Sequence, residues 1–279
     1  MPPHSDPLPL PQLTPPPDTT PHPAQSDPFF LDQIDAMKRH LQNARDLPGL
    51  ERLRETAELP AAFFEHFDAA LACFDRIIDF VLRFDGTQSK VQCSKGCCNC
   101  CIDLVRGVTT PEIVNIYNHV RNWPDVRQIF EYHRESAELF MGILASKLKP
   151  DEQSFGGHDQ RVAQAHVEYN LLNRPCGFLD TESGQCRIYP VRPIACRYFF
   201  SLDPPEYCTP GHEKYLSRDT RTIHLPDEVN KLLMEIGRRF DFKTLSYLSG
   251  AFCSFASDVM RTRPIKSVAS PDEARDAGG

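Results

Sequence analysis

Between residues 61 and 84 apolar side chains return at alternating steps of four and three: Phe63, Phe67, Ala70, Phe74, Ile77 and Val81. That spacing draws one stripe along a helix with a polar face opposite, so a single long helix with one buried side is predicted there. A second helix start is written in Thr109-Thr110-Pro111-Glu112, a capping hydroxyl followed by proline and an acid in the first turn. This helix should run to about Asn122, ahead of Trp123-Pro124. The stripe resumes from Asp125 to Lys147 through Val126, Phe130, His133, Ala137, Phe140 and Leu144, and Pro150 marks its end. Further helices are expected over 159–172, over 226–240 opening with Pro226-Asp227-Glu228, and over 243–260. Strand-like alternation is nearly absent. The fold class predicted is mainly α, a single helical domain over 30–262 with irregular cysteine-rich loops at 86–108 and 173–225.

The two ends read differently. Residues 1–28 hold eleven of the 25 prolines, and such a composition cannot bury enough apolar surface to offset chain entropy. They are expected to form a disordered arm, which could dock onto an aromatic groove of a partner, although no basic-flanked PxxP is present. The polar, aperiodic residues 263–279 are expected to be a disordered tail. No internal repeat is visible.

Composition narrows the function. With 279 residues and 41% hydrophobic side chains the chain can build a real core. A net charge of -7 offers no field for a polyanion, which argues against nucleic acid. No apolar run approaches the roughly 20 residues that span a bilayer. The opening residues lack the layout of a secretory signal, so a cytoplasmic location is expected. In that reducing compartment eleven cysteines are not a disulfide framework, and metal binding becomes their leading use.

The cysteines fall into two groups. Cys93, Cys97, Cys98, Cys100 and Cys101 place five thiols in nine residues. Cys97 with Cys100, and Cys98 with Cys101, form interleaved CxxC pairs, the spacing by which two thiolates grip one metal from a tight turn, and Gly96 permits the bend. Vicinal side chains diverge, so Cys100 and Cys101 do not suit one small tetrahedral ion and suggest two metal centres or a polynuclear cluster. The second group, Cys176, Cys186, Cys196 and Cys208, is spaced by ten, ten and twelve residues, as if successive loops wrapped round a site. Arg187, Arg192 and Arg197 lie beside Cys186 and Cys196, where guanidinium groups can donate to sulfur and favour the thiolate. Arg192 and Arg197 are therefore candidate cofactor-binding residues.

These residues resemble the YkgJ-like, or CxxCxxCC, cysteine-cluster proteins, described as chelating zinc or iron. The resemblance lies in Cys93-x3-Cys97-x2-Cys100-Cys101, Cys176-x-Phe-Leu ending in Cys186-x-Ile-Tyr, Arg192-Pro193-x-x-Cys196-Arg197 and Cys208, over about 90–210. It implies Cys93, Cys97, Cys100, Cys101, Cys176, Cys186, Cys196 and Cys208 as metal ligands. Cys98 is an extra thiol, and Gly177 stands where the resemblance leads one to expect proline.

Eight thiolates suit two zinc ions or one or two iron-sulfur clusters. Vicinal, loop-borne cysteines favour iron or an iron-sulfur cluster over zinc. Cys73 and Cys253 sit inside apolar helical patterns and read as core residues. His212, at Cys-x3-His spacing from Cys208, reads as a surface-turn residue rather than a ligand, His133 as packing, and Asp103 and Glu112 as loop or capping residues. No GxSxG, HExxH, P-loop or GxGxxG is present. The leading function is a cysteine-thiolate metal-binding protein. The alternatives are an iron-centre enzyme for redox chemistry or for protein or peptide side-chain modification such as methyl transfer, by analogy with a flagellin lysine methylase that resembles this family in its cysteine cluster, and an interaction protein stapled by its metal.

Overall fold

A computed structural model describes residues 22–93, 96–148, 160–215 and 217–268. The first 21 residues of the expected arm and residues 269–279 of the expected tail lie outside them. The rest of both segments belongs to the fold. Pro23–Ser26 form a short 3-10 turn that buries Ala24, and His22 pairs with Asp85 at 2.9 Å. Asp27 then caps a helix that sequence periodicity did not single out, α1 (Pro28–Asp46), by accepting the amide of Phe29 at 2.8 Å.

A 3-10 turn at Leu50–Arg52 leads into the single turn α2 (Leu53–Thr56), and Ala57 in the left-handed region, with φ of 57°, releases the chain into β1 (Glu58–Pro60). Next comes α3 (Ala61–Phe84), with the bounds the stripe predicts. Its Phe63, Phe67, Phe74 and Ile77 are almost fully buried, and α1 lies along this face with Phe30, Ile34, Met37 and Leu41. Burial of each such side chain contributes about 1.5–3 kcal/mol. The first cysteine segment follows, and then α4 (Thr110–Val120), α5 (Val126–Ala145) and α6 (Gln160–Asn170), near their expected places.

The second cysteine segment contains most of the strand structure among the described residues. It holds an antiparallel pair β2 (Leu179–Asp180) and β3 (Gln185–Cys186), and a second pair β4 (Phe199–Ser201) and β5 (Thr220–Thr222). After it run α7 (Asp227–Arg239) and α8 (Leu248–Ser254), the latter passing into a π-helical turn at Phe255–Val259. Helix α8 starts later than the expected 243. The amides of Gly107 and Val108 bind the carbonyl of Ser246, the Leu248 amide binds Val105, and Arg106 bridges to Tyr247. The backbone that would have opened the helix is thus spent on pinning the loop after the first cysteines. Finally β6 (Lys266–Val268) runs parallel to β1, and Ile265 before it is buried, which brings the front of the expected tail into the core.

One large core runs through α1, α3, α4, α7 and α8. A smaller one, Leu104, Phe140, Ala165, Tyr169 and Tyr247, joins α5 and α6 to the same pinned loop. The cysteine loops are therefore irregular in themselves but moored to helices on both sides. Among the described residues no helix is long and apolar enough to cross a membrane.

Candidate metal centre

The first cysteine segment turns at Gly96, whose φ of 97° suits glycine, and continues into a 3-10 turn over Asn99–Ile102. The Cys101 amide closes that turn on the carbonyl of Cys98 at 2.8 Å. Two contacts bring the second segment onto the first. The Cys176 amide binds the carbonyl of Cys101 at 2.7 Å, and the Ser201 amide points at the sulfur of Cys93 at 3.2 Å. The short hairpin of β2 and β3 carries Cys186 opposite Leu179. Its turn residue Gly184 lies so close to Gly96 that an added Cβ would stand 2.9 Å from the Gly96 carbonyl. A short turn at Pro205–Cys208 is held to the first segment where Thr209 Oγ1 binds Asn99 Oδ1 at 3.2 Å.

Cys100 lies at the centre of the group. Its thiol is raised by Cys101 and Cys97, and Cys93, Cys176, Cys186, Cys196 and Cys208 each feel the field of Cys100 in turn. As a whole residue Cys100 is exposed, and its thiol is hydrogen-bonded with that of Cys101. A hydrogen bond with Cys101 and then burial drive its pKa far up. Cys93 is raised by its bond to Cys97 and then by burial. Burial pushes Cys176 up to about 12, and burial followed by the field of Cys176 pushes Cys196 well up. Cys186 and Cys208 are raised by burial too, against the opposing fields of Arg192 and Arg197 on the former and a bond from Ser201 and the field of Arg218 on the latter.

Such a group has a clear chemical meaning. Thiols that are buried together cannot all ionise, because each thiolate raises the cost of the next. A bound cation removes that cost, and soft sulfur donors suit zinc, iron or an iron-sulfur cluster. The donor set therefore fits a metal. Among the described residues no three His, Cys, Asp or Glu side chains are already drawn together as the ligands of an ion. The thiols share one field without having closed on a common point.

The arginines act differently from the expectation. Arg187 forms a two-pronged bond to Asp125, at 2.5 and 2.9 Å, and stacks on Trp123. Arg197 is 2% exposed and donates to the carbonyls of Pro190 and Arg192 and to Asp75. It holds the loop backbone and reaches Cys186 through its field alone. Arg192 packs over the ring of Tyr189 and acts on Cys186 and Cys196 in the same way.

Other residues fall where their surroundings dictate. Cys73 and Cys253 are buried, the first accepting from Arg76 at 3.0 Å and the second pointing at the Phe130 carbonyl. Cys98 lies 3.8 Å from where a Cβ on Gly184 would stand. His212 accepts the Lys214 amide and stacks on Tyr207, a local turn arrangement. His133 is fully buried, with Nδ1 on the hydroxyl of Ser249 at 3.0 Å. Asp103 is not the exposed loop residue expected. Both of its oxygens accept from the Tyr215 hydroxyl, at 3.0 and 3.1 Å, and burial pushes its carboxyl up to about 6. Sequence reasoning missed Tyr215 and Ser201, which carry no motif and meet their partners only through tertiary folding. A cleft of about 20 Å³, lined in part by Asp103, Tyr169, Arg174 and Ser249, reaches Cys176. It has room for about one water.

Residues 92–220 match the model of the CxxCxxCC family, whose description is "Putative zinc- or iron-chelating domain". No curated protein and no solved structure matches the chain. The matched stretch begins just before Cys93 and ends after Cys208, so it takes in all eight cysteines of the resemblance. Over residues 92–220 the chain is thus similar to the CxxCxxCC family.

Proposed function

We propose that this is a cysteine-thiolate metal-binding protein of the YkgJ type, whose ligands come from Cys93, Cys97, Cys100, Cys101, Cys176, Cys186, Cys196 and Cys208. One observation carries the reading: the loops of Cys176, Cys186 and Cys208 are held against the first cysteine segment by the Cys176–Cys101 backbone bond, the close approach of Gly184 to Gly96, the Ser201–Cys93 contact and the Thr209–Asn99 bond. Buried thiols gathered without a cation are an electrostatic liability, and a metal turns that liability into binding energy. Vicinal Cys100 and Cys101 favour iron, most simply an iron-sulfur cluster, over a pair of zinc ions. All eleven cysteines are free of disulfides, which suits the reducing cytoplasm.

The cleft beside Cys176 bears on access to the centre. A space of about 20 Å³ admits about one water. This supports water reaching the Cys176 side of the centre, and metal handling, electron transfer or folding are the roles we propose for it. The test is elemental analysis with sulfide determination and a visible spectrum on protein purified without oxygen. Iron with sulfide and broad absorption is the expected result, two zinc ions in colourless protein would leave the thiolate site and remove iron, and metal-free folded protein would remove the site.

A further inference from the structure

Glu112 is 2% exposed. A carboxylate taken that far out of water costs several kcal/mol unless its oxygens are bonded. The capping box at the start of α4 explains half of it: Oε2 accepts from the amide of Thr109 at 2.6 Å and from its hydroxyl at 2.7 Å. A cap needs no more than this, and most capping acids stand in solvent. The other oxygen, Oε1, accepts the amide of Ile194 at 2.7 Å, from a segment 82 residues away.

That amide opens the 3-10 turn Ile194–Cys196. Pro193, just before it, has no N–H, so the Ile194 amide is the first donor of the turn and has no partner inside it. Glu112 supplies the partner. The same turn is closed from within by the Cys196 amide on Pro193 and the Arg197 amide on Ile194, at 2.9 and 2.8 Å. From outside, the Arg197 guanidinium holds the carbonyls of Pro190 and Arg192. A buried anion and a buried cation thus grip the backbone on the two sides of Cys196. Ligand atoms have to be held within about 0.2 Å of their places, so what fixes this turn fixes the sulfur.

We propose that Glu112 is a positioning residue of the metal centre, acting through the Ile194 amide to place Cys196, with the capping of α4 as its second role. This rests on the reading of Cys196 as a ligand. The chain shows why the two tasks are joined. α4 is moored in the large core, and Glu112 passes that rigidity to a loop that has little packing of its own.

The test uses cobalt(II) chloride, added without oxygen to the full chain freed of its own metal, in the wild type and in Glu112→Gln, Thr109→Ala and Ile194→Pro. Glutamine keeps the length of the side chain but cannot accept at both ends. Thr109→Ala removes the hydroxyl contact and spares Ile194. Ile194→Pro deletes the donated N–H and leaves Glu112 in place, and Pro193 has the extended ψ of 154° that a following proline needs. Glu112→Gln and Ile194→Pro should weaken cobalt binding by about 10–100-fold, measured against a chelator, and alter the ligand-field bands. Thr109→Ala should lower helix stability and leave both readouts unchanged. Wild-type bands and affinity in both Glu112→Gln and Ile194→Pro would overturn the positioning role. A wild type with no sulfur-to-cobalt charge-transfer band would overturn the thiolate site itself, and this inference with it.

Discussion

Gly177 lies against the imidazole of His133 so closely that a Cβ at position 177 would stand 2.7 Å from Nε2 and 2.8 Å from Cδ2. The ring of Tyr132 would be 3.0 Å away. The proline that the resemblance led one to expect has no room here, and glycine is the residue that lets α5 support the backbone beside Cys176.

Gly177→Ala should therefore destabilise the protein by about 1–3 kcal/mol, the range for forcing extra atoms into a packed site. Because the clash is with one imidazole, the combination with His133→Ala should cost less than the sum of the two single changes. Urea unfolding of the three variants checks this, and additive costs would show that the contact is not the cause.

Arg197 supports a larger effect. Its guanidinium is 2% exposed, whereas its partner Asp75 is 50% exposed. Replacing Arg197 with methionine leaves two loop carbonyls without their donor and should cost about 2–4 kcal/mol. Asp75→Asn, at the solvent end of the pair, should cost less than about 1 kcal/mol. Denaturant midpoints measured side by side give the comparison.

Acidification should act through His133. Burial lowers its pKa to about 3, while the unfolded chain binds a proton near 6.5. The unfolded state therefore holds more protons between these values, and the contribution present above pH 6.5 is lost as pH falls toward 3. Asp103, raised by burial to about 6, works the other way over its own window, from there down to 3.8. His133→Gln removes the first effect alone. Its stability should fall less steeply below pH 6.5 than that of the wild type, by up to about 1.4 kcal/mol per pH unit. Parallel slopes would show that His133 does not titrate as its burial requires.

The helices were legible because their information is local. The stripe from Phe63 to Val81 gives the bounds of α3, and Thr109 with Glu112 marks the start of α4 within a residue. Helix α1 was less legible, since Gln33 and Ala44 interrupt its buried face with residues that carry little apolar signal. Of the site, the cysteines could be read directly and their convergence could not. Cys208 feels the field of Cys100 across 107 intervening residues, and only the folded loops bring the two that near. The roles of Arg197, Ser201 and Tyr215 were hidden for the same reason. Each acts on a backbone atom or side chain that folding delivers.

The thiols divide into those that converge and those that do not. Cys100→Ser and Cys196→Ser should strip metal and destabilise the fold, since both belong to the proposed ligand set. Cys73→Ser, in the core between α1 and α3, should leave metal content unchanged. Metal-to-protein ratios for the three variants decide the matter, and loss of metal from the Cys73 variant would overturn the ligand set.

X-ray absorption at the metal edge of protein purified without oxygen reports the central claim most directly, because it reads the atoms bound to the metal. The thiolate centre predicts a first shell of sulfur alone, near ~2.3 Å, that is lost in Cys100→Ser. A first shell of nitrogen or oxygen at about 2.0–2.1 Å, or a sulfur shell that survives the loss of Cys100, would contradict it.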